Sequence, residues 1–425
     1  MLGTSKPGQP GRGPSPLAPE IQAAEFGRAP AFGVALLDNP NELSAGWACL
    51  SGFKPIRFSS PNELETDAVW VTSVKYDEYV RRAKSAHNLR RLDYFRTSLP
   101  MIAADLGTRI TREYAVTSSE LLADIAQRSV SLAVRLYGWT NPVTDLREDL
   151  LQEDIRRSLA QAPKPQRHMV ASLISAYQAF STPTWLPVYE TDMISVTLRY
   201  NRLDYAQRIL ATLVPDEGWN YIPNESVRGF GLDDFLNPER PCLVEASVEV
   251  GAVDPSLAAL IAFGQSPGKR QGMRKWISQP ELMWLHRHAR VNVESAYFSP
   301  GGRELPASAR LSPLLTEDPL LSLSYSAGLV AESHWSALCG PTYNRQSRLS
   351  EVSTWAVWLR AMDRAMCFSL AMDACRAGYQ PFGYGNGSVI VNLKKAELPR
   401  LLEFAQEHGL SFPTFKSLYE EHGVV

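Results

Sequence analysis

Apolar residues along the chain fall first into short unbroken runs and later into longer helical stripes. Phe32-Gly33-Val34-Ala35-Leu36-Leu37-Asp38 and Ala68-Val69-Trp70-Val71 predict two buried strands that open an α/β domain. Tyr76 to Phe95 predicts a basic helix, read either as a solvated face or as a cationic contact surface. Ser118 to Tyr137 is amphipathic at helical spacing with a serine cap, and Asp145 to Gln161 predicts a second helix. Pro163 and Pro165 punctuate the chain, which places a boundary between Ala162 and Pro187, before a strand at Val188 to Glu190.

Beyond that boundary the period alternates. Tyr200 to Leu213 predicts a helix, Cys242 to Val250 a half-exposed strand, and Trp276 to His288 a short strand running into a helix. Val352 to Ala377 carries the strongest helical stripe, with Trp355, Trp358, Leu359, Met362, Met366, Leu370 and Cys375 recurring until Gly378 stops it. Gly378 to Leu393 then predicts two strands around a tight turn. Tyr384-Gly385-Asn386-Gly387 supplies the positive φ that such a turn needs, and Ser388-Val389-Ile390-Val391 is continuous enough for a buried strand.

The expected fold is α/β and α+β: an N-terminal mixed α/β domain over 29–165 and, over 186–425, an antiparallel sheet backed by helices. Residues 1–28, rich in Pro, Gly and Ser without an apolar core, are expected to form a disordered tail. Composition adds little to function. The 425 residues carry a formal net charge of −2, so any nucleic-acid surface must be local, and no run is long and apolar enough to span a bilayer. Five cysteines (49, 242, 339, 367 and 375) lack zinc or disulfide-framework spacing, which fits a reducing cytoplasm.

Four segments between Tyr189 and Val391 resemble, in order, the palm of family B DNA polymerases, most closely the protein-primed branch of phages and linear plasmids. Tyr189 to Leu198 resembles a strand ending in an aspartate with a serine three residues later, here Asp192 and Ser195, but without the tyrosine-proline pair that follows in the family. Pro241 to Val250 resembles the palm strand that follows, and Lys275 to Leu282 leading into Val291 to Glu294 the segment that returns toward the fingers; Tyr325 to Trp335 stands where the fingers helix carries a triphosphate-binding lysine, which is missing. The hairpin at Gly385, Asn386, Gly387 and Ser388 stands where the family carries two metal-binding aspartates, and it has neither. The resemblance covers about half the chain.

What it implies is a degenerate palm. Two-metal phosphoryl transfer needs carboxylates from two strands around a pair of Mg²⁺ ions, and Asp192 alone cannot supply them. Asp192 is either a residual ligand or a strand-end aspartate capping the next helix, while Asp363 and Asp373 are expected to face solvent or pair with Arg360 and Arg376. The expected function is a nucleic-acid-binding, polymerase-like protein, a pseudoenzyme in DNA replication of a plasmid or phage, with DNA or a replication protein as partner and no membrane. Alternatives are an active nucleotidyl transferase with an atypical Mg²⁺ site and a non-enzymatic assembly protein. Arg199, Lys269, Arg270, Arg274, Lys275, Arg345 and Arg348 are the expected phosphate contacts, the glycine-rich stretch from Gly264 to Lys275 being read as a basic loop or as a bland surface one.

Weaker candidates complete the reading. Trp276, Trp284, Tyr297, Trp335 and Tyr343 are candidates for base stacking, against an ordinary place in the core. Asp38 and Asp67 are the acids of the N-terminal domain to test as metal ligands, although no Asp-x-Glu exonuclease motif is present. His286 and His288 read as a surface pair, Ser333-His334 is no catalytic dyad by adjacency alone, and Cys339 near His334 reads either as a nucleophile pair or as a buried packing thiol. The 32 residues after Leu393 leave little room for a thumb, which counts against processive synthesis.

Overall fold

The structure, a computed structural model, describes residues 31–64, 68–74, 89–90, 99–137, 161–178, 192–249, 273–305, 321–339, 342–344 and 349–410. It is a mixed α/β protein whose described residues form ten α-helices and five small sheets. The first sheet comprises β1 (Phe32–Leu37), β2 (Gly46–Leu50), β3 (Ile56–Phe58), β4 (Val69–Thr72) and β5 (Leu89–Arg90) in the order β3-β2-β1-β4-β5. The β1 strand is buried at every position because both faces are covered: Phe32, Val34 and Leu36 join the main core, whereas Ala35 and Leu37 join a smaller cluster with Phe58 and Trp70. A Cβ on Gly46 would lie 2.2 Å from the Leu36 carbonyl oxygen, so only glycine lets β2 close on β1.

Two sequence expectations change here. Leu89–Arg90, inside the expected basic helix, instead pairs parallel with β4, whose outer edge would otherwise lack a partner; the rest of the expected helix lies outside the described residues. Helix α1 (Leu99–Asp105) is followed by α2 (Ala115–Tyr137), which starts three residues before the expected serine cap. Ser118 is therefore inside the helix and fully buried, donating to the Arg109 carbonyl at 2.7 Å rather than capping. The expected helix over 145–161, Gln161 excepted, and the strand over 188–190 lie outside the described residues.

The chain continues through α3 (Val170–Gln178), β6 (Met193–Arg199), α4 (Arg202–Leu210), β7 (Val214–Pro215), β8 (Asn220–Ile222), α5 (Asn224–Val227) and α6 (Leu232–Leu236). Helix α4 begins where Asn201 accepts the N–H groups of Leu203 and Asp204. Next come β9 (Cys242–Glu249), β10 (Met273–Ser278), α7 (Gln279–Leu285), β11 (Arg290–Phe298), β12 (Gly302–Arg303) and α8 (Leu321–Leu338). Last are β13 (Thr342–Asn344), β14 (Leu349–Glu351), α9 (Thr354–Arg376), β15 (Gln380–Gly385), β16 (Ser388–Lys394) and α10 (Leu398–Glu407).

Two antiparallel sheets organise this half. One has the order β10-β9-β11-β8, with Val244, Ala246, Ile277, Ala296 and Phe298 turned into the core from alternating positions. The other has the order β15-β16-β6, so that the hairpin is joined by a strand from far earlier in the chain. Helix α9 packs against β15, β16, α7 and α3 and is buried on most of its circumference, including Asp363 and Arg364. Within this core Arg364 pairs with Glu281 at 2.6 Å and donates to the Tyr177 and Ala176 carbonyls, which gives the buried cation its partners.

The hydrophobic core runs without interruption from Phe32 through α2 and α8 to Leu410. Ser326 on α8 donates to the Ile125 carbonyl on α2, so segments on both sides of the expected boundary pack together. No helix among the described residues is long and apolar enough to cross a membrane.

Candidate functional site

The hairpin turn joins β15 to β16 through Asn386 and Gly387, with φ of 52° and 70°. Two consecutive left-handed residues make the mirror-image turn that matches strand twist, and Asn-Gly is the pair that tolerates it. Gly387 is required twice over, because a Cβ there would also stand 3.2 Å from the Tyr205 ring.

The turn is held from below by Asp363 on α9, which is 1% exposed. Its Oδ2 accepts the Asn386 N–H at 2.9 Å, and its Oδ1 accepts the Gly387 N–H at 2.9 Å and the Tyr205 hydroxyl at 2.6 Å. Burial, and then the Asp363 charge, pushes the Tyr205 hydroxyl well above its usual range, so it stays protonated and donates. The Cys367 thiol, 3.3 Å from the same hydroxyl, is likewise pushed up by burial and by Asp363. The expectation that Asp363 faces solvent or pairs with Arg360 is thus corrected: Arg360 lies over the Tyr177 ring instead. The aspartate points into the hairpin because two N–H groups on the inner side of the turn need an acceptor. Asp373 does pair with Arg376, at 2.9 Å.

Strand β6 runs alongside β16 with Arg199 opposite Ser388 and Met193 opposite Lys394. Arg199 therefore sits at the turn, and Asp192 sits at the other end of the ladder, about 23 Å away at roughly 3.3 Å per residue. Asp192 is exposed, and its carbonyl accepts the Lys395 N–H at 3.3 Å. It does not cap the next helix, which Asn201 does. Ser195 lies in mid-strand, donating to the Asn392 side chain at 2.7 Å. The residues that close β6 at the turn are Arg199 and Tyr200, so Asp192 and the hairpin tip stand at opposite ends of the ladder.

Charge at the turn is cationic but compensated. Arg199 lies 3.6 Å from Glu332 on α8, and burial with the nearby Arg202 holds its pKa below the usual arginine range. Arg202 bridges Asp105 on α1, at 2.7 Å, and Glu332, while the Tyr325 hydroxyl donates to Asp105 at 2.7 Å. Helix α8 approaches closely enough for this because residue 328 is glycine; a Cβ there would stand 2.9 Å from the Arg202 Cβ.

A pair of Mg²⁺ ions does not fit these residues. The tip offers backbone N–H donors, both Asp363 oxygens are taken by donors, and the strand end contributes an arginine. Among the described residues, no group of three or more His, Cys, Asp or Glu is placed to hold a metal ion. Asp38 is engaged by Arg57, which holds its carboxyl below the usual range, and Asp67 lies outside the described residues.

The other expected site residues are dispersed. Arg274 and Lys275 fall in β10 rather than in a loop, opposite Ser247 and Ala246, because the ladder with β9 begins at Met273. Lys269, Arg270, Arg345 and Arg348 lie outside the described residues. Of the stacking candidates, Trp335 and Tyr297 are buried, Trp284 packs on Phe368, Trp276 is half-buried, and nothing is described of the Tyr343 side chain. His286 and His288 follow α7, the latter against Trp284, and Ser333, His334 and Cys339 are buried in or beside α8.

No protein-family model matches the chain, nor does any curated protein sequence. Among solved structures it is similar to Phi29 DNA polymerase with primer-template DNA in a post-translocation binary complex, at 10% identity and a TM-score of 0.42, over 85% of this chain and 80% of that one. It is similar to the same polymerase in a ternary complex with primer-template DNA and incoming nucleotide, at 13% identity and a TM-score of 0.36, over 67% and 54%. A third is the family B DNA polymerase of the hyperthermophilic archaeon Pyrobaculum calidifontis, at 10% identity and a TM-score of 0.31, over 90% and 56%. The chain spans little more than half the length of two of these three, and every TM-score is below 0.5.

Proposed function

We propose that this chain is a polymerase-like protein that binds nucleic acid without extending it. The observation that carries the reading is the hairpin tip: where the palm resemblance implies two metal-bound aspartates, Asn386 and Gly387 turn their N–H groups onto a buried Asp363, and Arg199 closes the neighbouring strand. Palm ancestry is supported by the antiparallel β15-β16-β6 arrangement on α9. A turn sealed from within keeps the architecture while giving Mg²⁺ no carboxylate pair to bridge. In this reading the protein takes part in replication or maintenance of a mobile element, holding DNA or a replication protein.

The test is binding of the full chain to labelled single-stranded and primed DNA across a salt series, with Mg²⁺ and deoxynucleotides added in parallel. Binding that weakens with salt and yields no extension is expected. Extension of the primer overturns the inactive reading, and absence of binding at low salt overturns the nucleic-acid reading.

A further inference from the structure

We infer that the β8 edge of the β10-β9-β11-β8 sheet holds an aromatic platform that takes unpaired bases of a single strand, a proposal that rests on the nucleic-acid reading above. One face of the sheet, buried at Tyr297 where Ser172 of α3 meets it and open at the β8 edge, carries Trp276 on β10, Tyr297 on β11 and Tyr221 on β8. Tyr297 is paired directly with Tyr221, and Trp276 lies across β9 from it, opposite Glu245, which is in turn opposite Ser295. Their rings form a continuous series: Trp276 to Tyr297 at 5.3 Å and Tyr297 to Tyr221 at 4.9 Å. His168 adds a fourth ring, 5.7 Å from Tyr297 and 6.2 Å from Tyr221.

Burial separates the roles. Tyr297 is 4% exposed and serves as the base of the series, whereas Tyr221 is 48% exposed and His168 is exposed. An aromatic ring left this open at a sheet edge, with its neighbours fixed by packing, offers a pre-ordered π-face at little entropic cost. The segment bearing His168 is fastened to the sheet by the Gln166 side chain, which donates to the Trp219 carbonyl at 2.8 Å. That segment carries two exposed cations, Lys164 and Arg167, four residues and one residue before His168, and Asp216 is matched by Arg303 at 3.1 Å. Rings with flanking cations suit a strand whose bases stack while its phosphates meet Lys164 and Arg167. Double-stranded nucleic acid, with its bases already stacked, is not the occupant.

The experiment uses the full chain and fluorescence anisotropy with three labelled strands of about fifteen nucleotides: oligothymidine, oligouridine and an abasic strand of equal charge. Tyr221→Ala should weaken binding to the base-bearing strands about fivefold or more and leave the abasic strand unchanged, with Tyr221→Phe close to wild type. His168→Ala should act in the same direction. Loss confined to the DNA or the RNA strand names that one as the occupant. Unchanged binding in Tyr221→Ala, or an equal loss on the abasic strand, overturns the platform while leaving nucleic-acid binding intact. Failure of the wild-type chain to bind any strand overturns both readings, so the two failures are distinguishable. An unchanged thermal melt shows that the exposed substitutions leave the fold intact.

Discussion

Asp363 and Gly387 meet across 2.9 Å, the acid in the middle of a long buried helix and the glycine at the tip of a hairpin 24 residues later. This contact fixes the hairpin on α9 and removes a carboxylate from any other role. Asp363→Ala leaves two N–H groups and the Tyr205 hydroxyl without their acceptor in a dry site, and should cost about 2–5 kcal/mol of stability. Asp363→Asn, which keeps one acceptor oxygen, should cost less. Urea denaturation of both variants checks the order, and an alanine variant within about 0.5 kcal/mol of wild type would refute the structural role.

Gly387 and Gly52 both have positive φ, at 70° and 81°, but only Gly387 has the Tyr205 ring against its missing Cβ. Gly52→Ala should therefore cost only the left-handed penalty, about 1–2 kcal/mol, and Gly387→Ala more than that. Equal shifts in denaturation midpoint would show that the Tyr205 contact is slack.

Burial, followed by the charges of Arg376 and Arg287, holds the His288 imidazole below its ordinary pKa. A depressed folded pKa means that the unfolded chain takes up the proton first, so the contribution is intact above pH ~6.5 and is lost as pH falls toward the folded pKa. His288→Gln should lose less stability than wild type as pH falls below about 6.5. Parallel pH profiles of the two proteins would count against this account.

Four of the five cysteines, Cys49, Cys242, Cys339 and Cys367, are buried, while Cys375 is half-buried. Burial also pushes the Cys49 thiol up to about 11. A thiol reagent at mild alkaline pH should label one cysteine quickly in the native chain, and Cys375→Ser should remove that phase. Rapid labelling of several sites would contradict the packing around α9 and β2.

The elements were largely legible in the sequence, since unbroken apolar runs gave β1 and β4 and the 3.6-residue stripe gave α9 to within two residues at each end. The Asn-Gly turn was legible for a chemical reason, because few other pairs accept two positive φ angles. Asp363 was misread because helical period places a side chain on a face without naming what lies against that face. It was one polar residue on a helix whose packing neighbours come from strands and helices spread along the chain from α3 to β16. The register of β6 was lost for a similar cause: any of several residues from Asp192 to Tyr200 fits the end of a strand, and only its pairing with β16 decides. Tyr221 and His168 gave no signal beyond being aromatic, since their proximity depends on β8 and the segment before α3 meeting at the edge of a sheet.

The pairing of β6 with β16 also has a consequence for how the chain is made. Ser195 finds Asn392 only after 197 further residues have been synthesised. At about 5–20 residues per second, β6 waits roughly 10–40 s beside the ribosome before its partner exists. Met193, Ile194, Val196 and Leu198 stay open to unrelated strands during that interval, and early collapse of the α2 and β1 region cannot shelter them through this ladder. Yield in the cell should therefore respond to translation rate and to chaperones that hold extended segments, even for variants whose finished fold is unchanged.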